Sequence, residues 1–294
     1  MSTAPRTTGS GNLSPTHLGS WRMRVNLMFV IGCLILAPLI LMALSASFLT
    51  QLDPLSINAP QKLLPPSWAH PFGTDHFGRD VLARTVHGAQ ISLRVGFGAT
   101  LLTALFGILL GVVSGWYRWA DSIIGRISDS LMIFPGFVLA IMILAAIGPS
   151  EINVVISVTV LYVPRVIRTV RASVIEFRNA EFVDAARTVG VGDFRLLFLH
   201  ILPHAAGPVM VQLSFGFAWA VLVEAGLSFL GLGTPPPTPS WGSMIADARD
   251  FIRTAWWLMT IPGCMITLAV LGLNMIGDGL RDMLDPRLQS KTDM

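Results

Sequence analysis

Four stretches of this chain run for 19 to 25 residues without a charged side chain: 27–51, 95–117, 205–223 and 254–277. A helix needs roughly 20 apolar residues, at 1.5 Å each, to cross a bilayer. A fifth stretch, 130–150, has the same character. A sixth, 152–164, is short, but Arg165 and Arg168 can snorkel toward headgroups and let its helix run on out of the membrane. Gly148-Pro149-Ser150 is a turn signal that joins the fifth and sixth stretches as a hairpin. The pattern predicts an all-α integral membrane protein with six transmembrane helices. No stretch alternates as a barrel strand would. Only 13% of residues are charged and 53% are hydrophobic, where soluble domains carry about 25% charge.

Lysine and arginine placement sets the orientation. With the N-terminus inside, fourteen of the twenty basic residues fall on inner segments and six on outer ones. Both termini, and the polar loop from Glu181 to Pro203, are then cytoplasmic. Arg22 and Arg24 precede the first apolar stretch as in a signal peptide, but signal h-regions run about 7–15 residues. The longer stretch here reads as a retained span.

The expected organisation is a disordered cytoplasmic tail over 1–24 and a first span over 25–51. An extracytoplasmic segment follows over 52–94, then a five-span core over 91–280, and a cytoplasmic tail over 281–294. Within 52–94, prolines keep the first part extended. From Arg79 the apolar positions Val81, Leu82, Val86 and Ile91 predict an interfacial helix leading into span two. Gly107, Gly111 and Gly115 recur every four residues, which predicts close approach of another helix. Asp121 reads as an N-cap, Pro135-Gly136 as a kink, and Trp241, Trp256 and Trp257 as interfacial anchors.

Several chemistries have no residues to carry them. The only lysines are Lys62 and Lys291, neither preceded by glycine, so no P-loop exists. No H-E-x-x-H, C-x-x-C or G-x-S-x-G occurs. His70, His76 and His87 match no zinc spacing and read as surface histidines. Cys33 and Cys264 sit in apolar stretches and read as small hydrophobes. No basic run speaks for nucleic acid. A membrane-embedded enzyme would need an ionisable cluster at depth, and a channel or secondary transporter would be expected to show inverted repeats or intramembrane charge pairs. The sequence displays none of these.

What remains is the 178–203 loop. Asn179 is a candidate cap for a short helix over 181–189, in which Ala185 and Ala186 would let a partner surface come close to the backbone. Gly190 or Gly192 can take a positive φ and end that helix. Asp193 can cap a second helix with Phe194, Leu197, Phe198 and Ile201 on its apolar side, and Pro203 marks the return to the membrane. The residues describe a rigid knob, or else an ordinary amphipathic surface helix.

This stretch resembles the E-A-A loop of ABC importer permeases. Asp184, Ala185, Ala186, Gly190, Leu202 and Pro203 match that pattern at its spacing. Asp184 stands where the pattern has glutamate, and His200 where it has an apolar residue. Three more segments resemble the C-type subunit of the dipeptide/oligopeptide/nickel permease family. They are F-G-T-D-H-F-G-R-D-V-L-A-R (72–84), L-S-F-L-G-L-G-T-P-P-P-T-P-S-W-G-S-M (227–244) and G-D-G-L-R-D-M-L-D-P-R-L (277–288).

The resemblance implies a type I importer transmembrane domain in the bacterial inner membrane. It implies a sister permease subunit, two ATPase subunits that bind ATP and Mg, and an extracytoplasmic solute-binding protein. The chain itself would hold no cofactor or metal and catalyse nothing. Coupling to the ATPase would fall to Glu181, Asp184, Ala185, Ala186, Gly190, Asp193, Leu202 and Pro203. The solute would be a dipeptide or oligopeptide, with nickel or another small solute as the alternative. Glu224 lies 19 residues beyond Ala205, about 28 Å along a helix and so near the outer end of span five. It either lines the translocation path and meets a peptide's amino group, or is satisfied within the protein or against the sister subunit.

Overall fold

The computed structural model describes residues 26–46 and 53–284. The expected tail 1–24, the end of the first span at 47–51, and 285–294 lie outside the described residues. The helices are α1 (Leu27–Leu44), α2 (Val81–Trp116), α3 (Arg118–Ile133), α4 (Gly136–Ile147), α5 (Glu151–Phe177), α6 (Glu181–Thr188), α7 (Asp193–Phe229), α8 (Trp241–Ala248) and α9 (Trp257–Leu284). Five are long and apolar enough to span a membrane, and α3 with α4, a pair bent by 96°, counts as a sixth where the pair is taken as one broken span. The described residues thus hold five to six apolar spans, all helical. The described residues contain only an isolated bridge between Thr74 and Asp80 as extended pairing.

The expected kink at Pro135-Gly136 is a full break. Proline cannot donate into the ladder, and the residue before it is pushed out of the helical region. Phe134 accordingly sits at ψ 139°. The two halves of that span take different directions, and α4 alone, with 12 residues, is about 18 Å long.

The α2–α5 seam is built on the glycine stripe. A Cβ at Gly107 would lie 2.6 Å from Cβ of Val166, and Cβ atoms at Gly111 and Gly115 would meet Val170 and Val174 at the same 2.6 Å. Valine every fourth residue on α5 thus fits glycine every fourth residue on α2, the small-residue contact that membrane helices use in place of a hydrophobic drive. The α1–α9 seam follows the same logic: a Cβ on Gly32 would be 2.7 Å from the Gly272 carbonyl oxygen.

Helix α2 runs unbroken for 36 residues, about 54 Å. The separate interfacial helix expected over 79–94 is therefore not formed. Of its apolar positions, Val81, Val86 and Ile91 are buried in the protein and Leu82 is half-buried, rather than laid on a membrane surface. Asp80 starts the helix by accepting from the Ala83 N–H at 2.8 Å, and its other oxygen holds His70 Nδ1 at 2.8 Å.

Trp241 is likewise no interfacial anchor. It is fully buried, and its indole N–H donates to the Thr85 carbonyl at 3.1 Å. Trp257 is buried too and donates to the Thr74 carbonyl at 3.3 Å, while Trp256 is exposed. The three outer-segment histidines, read as surface groups, are half-buried. His76 stacks on Phe251 with centroids 5.1 Å apart, and burial there holds its imidazole below the ordinary histidine range.

Four charges hold this end of the bundle together. Asp75 accepts from Arg79 Nε at 2.6 Å and lies 3.6 Å from Arg84 Nε. Asp247 of α8 reaches Arg84 Nη2 at 3.4 Å and Arg79 Nη2 at 3.7 Å. Asp75 also accepts backbone N–H groups of Phe77 and Arg79. Both guanidinium groups are buried. Removing one member of a buried ion cluster costs about 3–5 kcal/mol, because the partners stay buried without their counter-charge. Asp75→Asn is expected to lower the melting temperature of the purified protein well beyond what Asp247→Asn does, since Asp247 is half exposed. Equal small shifts in thermal-unfolding traces would remove the clamp role from Asp75.

Candidate coupling surface

The helix–turn–helix forms at one end of the bundle, between α5 and α7. Ala180 holds the N-cap position of helix α6, with no side-chain cap, so Asn179 does not have the role the sequence suggested. Gly190 does end the turn, at φ 82°, and its N–H donates to the Arg187 carbonyl at 2.9 Å. Gly192, not Asp193, precedes the second helix.

Residues 196–201 wind as a π-turn, closed by the Leu202 N–H on the Leu197 carbonyl. Pro203, which lacks an N–H, follows at once. The wider turn rotates the buried side. Leu196, Leu197 and Ile201 are buried, whereas Phe194, expected there, is 75% exposed and rests on Phe198 with centroids 4.6 Å apart.

The knob is anchored on several sides. The Trp116 indole N–H, at the end of α2, donates to the Asp193 carboxylate at 3.1 Å. The same ring lies under the Arg187 guanidinium at 5.0 Å, a cation–π contact. One tryptophan therefore touches both arms of the turn. Arg178 donates to the Gly115 carbonyl at 3.2 Å. His204 stacks on Phe177 at 5.0 Å and meets Phe182 at 5.4 Å, fixing α6 against the start of α7. Val183 is fully buried under the knob.

Asp121, read as a cap, is instead the fourth residue of α3 and the centre of a charge lock. Tyr117 precedes α3 without a side-chain bond. Asp121 takes Arg171 Nη2 at 2.8 Å and the Ser114 hydroxyl at 2.9 Å, joining α2, α3 and α5. Neither Trp116 nor Arg178 nor the Asp121–Arg171 pair was singled out by sequence. The only signal was their position at the ends of apolar stretches.

The remaining face is free. Glu181, Asp184, Ala185, Thr188 and Gly190 are exposed, Ala186 and Leu202 are half-buried, and Pro203 is exposed. Asp184 pairs only loosely with Arg187, at 3.8 Å. Val189, 80% exposed, and Phe194 protrude from the turn. A polar helix with two apolar tips, backed by a buried Val183 and held by Trp116, makes a protrusion anchored on one side and free on the other. It has no nucleophile–base pair, and no group of three His, Cys, Asp or Glu positioned for a metal occurs among the described residues.

Glu224 is far from this surface and is enclosed. It is 1% exposed on α7 and accepts the Ser228 hydroxyl at 2.7 Å, with Ser92 and Ser240 beside it. In this conformation its carboxyl faces α2 and the start of α8 rather than open space.

The family to which the sequence belongs defines the class: a membrane component of a binding-protein-dependent transport system. Residues 104–290 match the family described as binding-protein-dependent transport system inner membrane component, and the chain belongs to that family. It is a multi-pass inner-membrane permease component and not itself an enzyme. A Brucella abortus protein named for peptide transport is 46% identical over 276 residues, covering 94% of this chain and 93% of that protein. The dipeptide transport system permease of Alkalihalophilus pseudofirmus is 44% identical over 94% of this chain and 92% of its own. That of Escherichia coli K12 is 39% identical over 88% and 89%. Among solved structures, the inward-facing MetNI methionine ABC transporter superposes with a TM-score of 0.54 at 16% identity, covering 68% of this chain and 96% of that one. That likeness carries the fold.

Proposed function

We propose that this chain is one of two permease subunits forming the translocation path of an ATP-driven peptide importer. The 181–203 knob sits in a groove of a partner ATPase. In this reading the knob and both termini are cytoplasmic, ATP and Mg are bound by two ATPase subunits, and an extracytoplasmic binding protein delivers a dipeptide or oligopeptide. The observation that carries the coupling role is the exposed α6 turn backed by Trp116: docked force on α6 has rigid routes into α2, α5 and α7. The peptide reading is supported by relatives named for dipeptide transport at 39–44% identity.

Closing of the ATPase pair would carry the knob with it and switch the spans between inward- and outward-open arrangements as rigid bodies. Ala185 is small and exposed, so it marks the closest approach. Ala185→Cys is expected to cross-link to a cysteine in the ATPase groove of the assembled complex, and the ATPases are expected to co-purify with the chain. Reconstituted complex is expected to import dipeptides only with ATP and binding protein. Import by the permease alone, or a cross-link map that leaves Ala185 facing away from every ATPase, would overturn the reading.

A further inference from the structure

Arg165 lies midway along α5, about 21 Å from the Glu151 end and about 18 Å from the Phe177 end. The two arginines that follow on the same helix are paired: Arg168 with Asp129 at 3.0 Å, and Arg171 with Asp121. Arg165 is exposed, and no carboxylate pairs with it among the described residues. An unpaired charge within a spanning helix is costly against lipid and belongs where it meets water or a partner.

Its direction decides which. Sequence alone allowed Arg165 to snorkel toward the cytoplasmic headgroups. Its guanidinium instead lies over Tyr162, one turn nearer the opposite end of α5, at 5.2 Å, and over Trp219 of α7 at 5.3 Å. The side chain therefore points back along α5 toward its Glu151 end, away from the end that leads into the knob. Gln212 donates to the Tyr162 hydroxyl at 2.9 Å and keeps that ring in place.

The α3–α4 break is at the same level. Gly136, the first residue of α4, approaches Trp219, with its would-be Cβ 3.7 Å from the indole. Phe134 and Pro135 beside it are exposed. Irregular backbone at membrane depth survives only where protein covers it or a water-filled cavity meets it. Broken helices are also how transporters build solute sites near the midplane. A cation and an unwound turn, both ill-suited to lipid, thus share one rim of the subunit.

We propose that this rim faces the translocation path and that Arg165, held on the rings of Tyr162 and Trp219, takes the carboxylate of the passing solute. It rests on the peptide-permease reading and names the charged group this subunit would receive. Arginine suits the task because its planar fork stays charged and accepts a carboxylate in two bonds.

The test uses the full complex with sister permease, ATPases and binding protein in proteoliposomes, with Cys33 and Cys264 replaced by alanine. Arg165→Cys is expected to lower dipeptide uptake about tenfold, the order of one lost charged hydrogen bond, while binding-protein-stimulated ATP hydrolysis persists. Reaction with a trimethylammonium-ethyl thiol reagent is expected to restore uptake several-fold; the sulfonatoethyl reagent is expected not to. Arg165→Gln, measured alongside, is expected to assemble and to show the same selective loss of uptake. Wild-type uptake in both variants, equal responses to the two reagents, or no reaction with either would overturn the proposal. So would failure of both variants to assemble, or a cross-link from this position to an acidic residue of the sister subunit. A complex with native Arg165 that hydrolyses ATP but imports no peptide would count against the peptide reading instead.

Discussion

Gly190→Pro is expected to abolish solute import while leaving the chain inserted, folded and bound to its sister subunit. Gly190 holds φ 82°, and proline is locked near −65°. The substitution also deletes the N–H that donates to the Arg187 carbonyl at 2.9 Å. Nothing lies within 4 Å of a Cβ at this position, so no core contact is disturbed. What changes is the aim of α6 relative to α7. ATP hydrolysis in the reconstituted complex is expected to continue, detached from uptake. Gly190→Ala keeps the N–H and carries only the left-handed strain of about 1–2 kcal/mol, so its effect is expected to be partial. Uptake and hydrolysis measured together give the answer: a proline variant with both at wild-type values would end the coupling role of this turn. Ala185→Trp is the companion test, since it adds bulk to an exposed position without touching the backbone.

Gly111→Leu is expected to have the largest effect on stability. A Cβ there already meets Val170 Cβ at 2.6 Å and the Ile167 carbonyl oxygen at 3.0 Å. Backbone on α5 cannot yield locally, so the whole α2–α5 seam must open. Overpacking of this kind typically costs about 1–3 kcal/mol and can cost more. In lipid the lost contact is not replaced by any hydrophobic drive. Yield of monodisperse protein in detergent is expected to collapse. Gly111→Ala paired with Val170→Gly is expected to recover part of it, because the second change removes the Val170 Cβ that the new methyl group would meet at 2.6 Å. Monodisperse Gly111→Leu with an unchanged melting curve would show that the ladder is dispensable.

Periodic features were legible and long-range ones were not. Hydropathy gave six spans, and the four-residue glycine spacing gave a packing stripe, because both are properties of single helices. The turn at Gly190 was readable because a positive φ favours one residue type. The Asp75–Arg79–Arg84–Asp247 cluster, the burial of Trp241 against Thr85, and the grip of Trp116 on Asp193 and Arg187 join residues far apart in the chain. No local pattern announces such meetings. Phe194 was misplaced for a different reason: the period of 3.6 assumed for its helix fails across a π-turn. The interfacial helix was misjudged because amphipathicity says that one face is apolar and not whether lipid or protein covers it.

One helix touches both ends of the molecule. Helix α2 begins at Asp80, beside the buried charge cluster, and ends at Trp116 beneath the knob, with no proline inside it and α5 interlocked along its last three glycines. Such a rod has no proline joint at which displacement could be absorbed. On the coupling proposed above, a push at its Trp116 foot would reach its Asp80 head as tilt, and a binding protein landing there would meet a surface whose angle the ATPases had set.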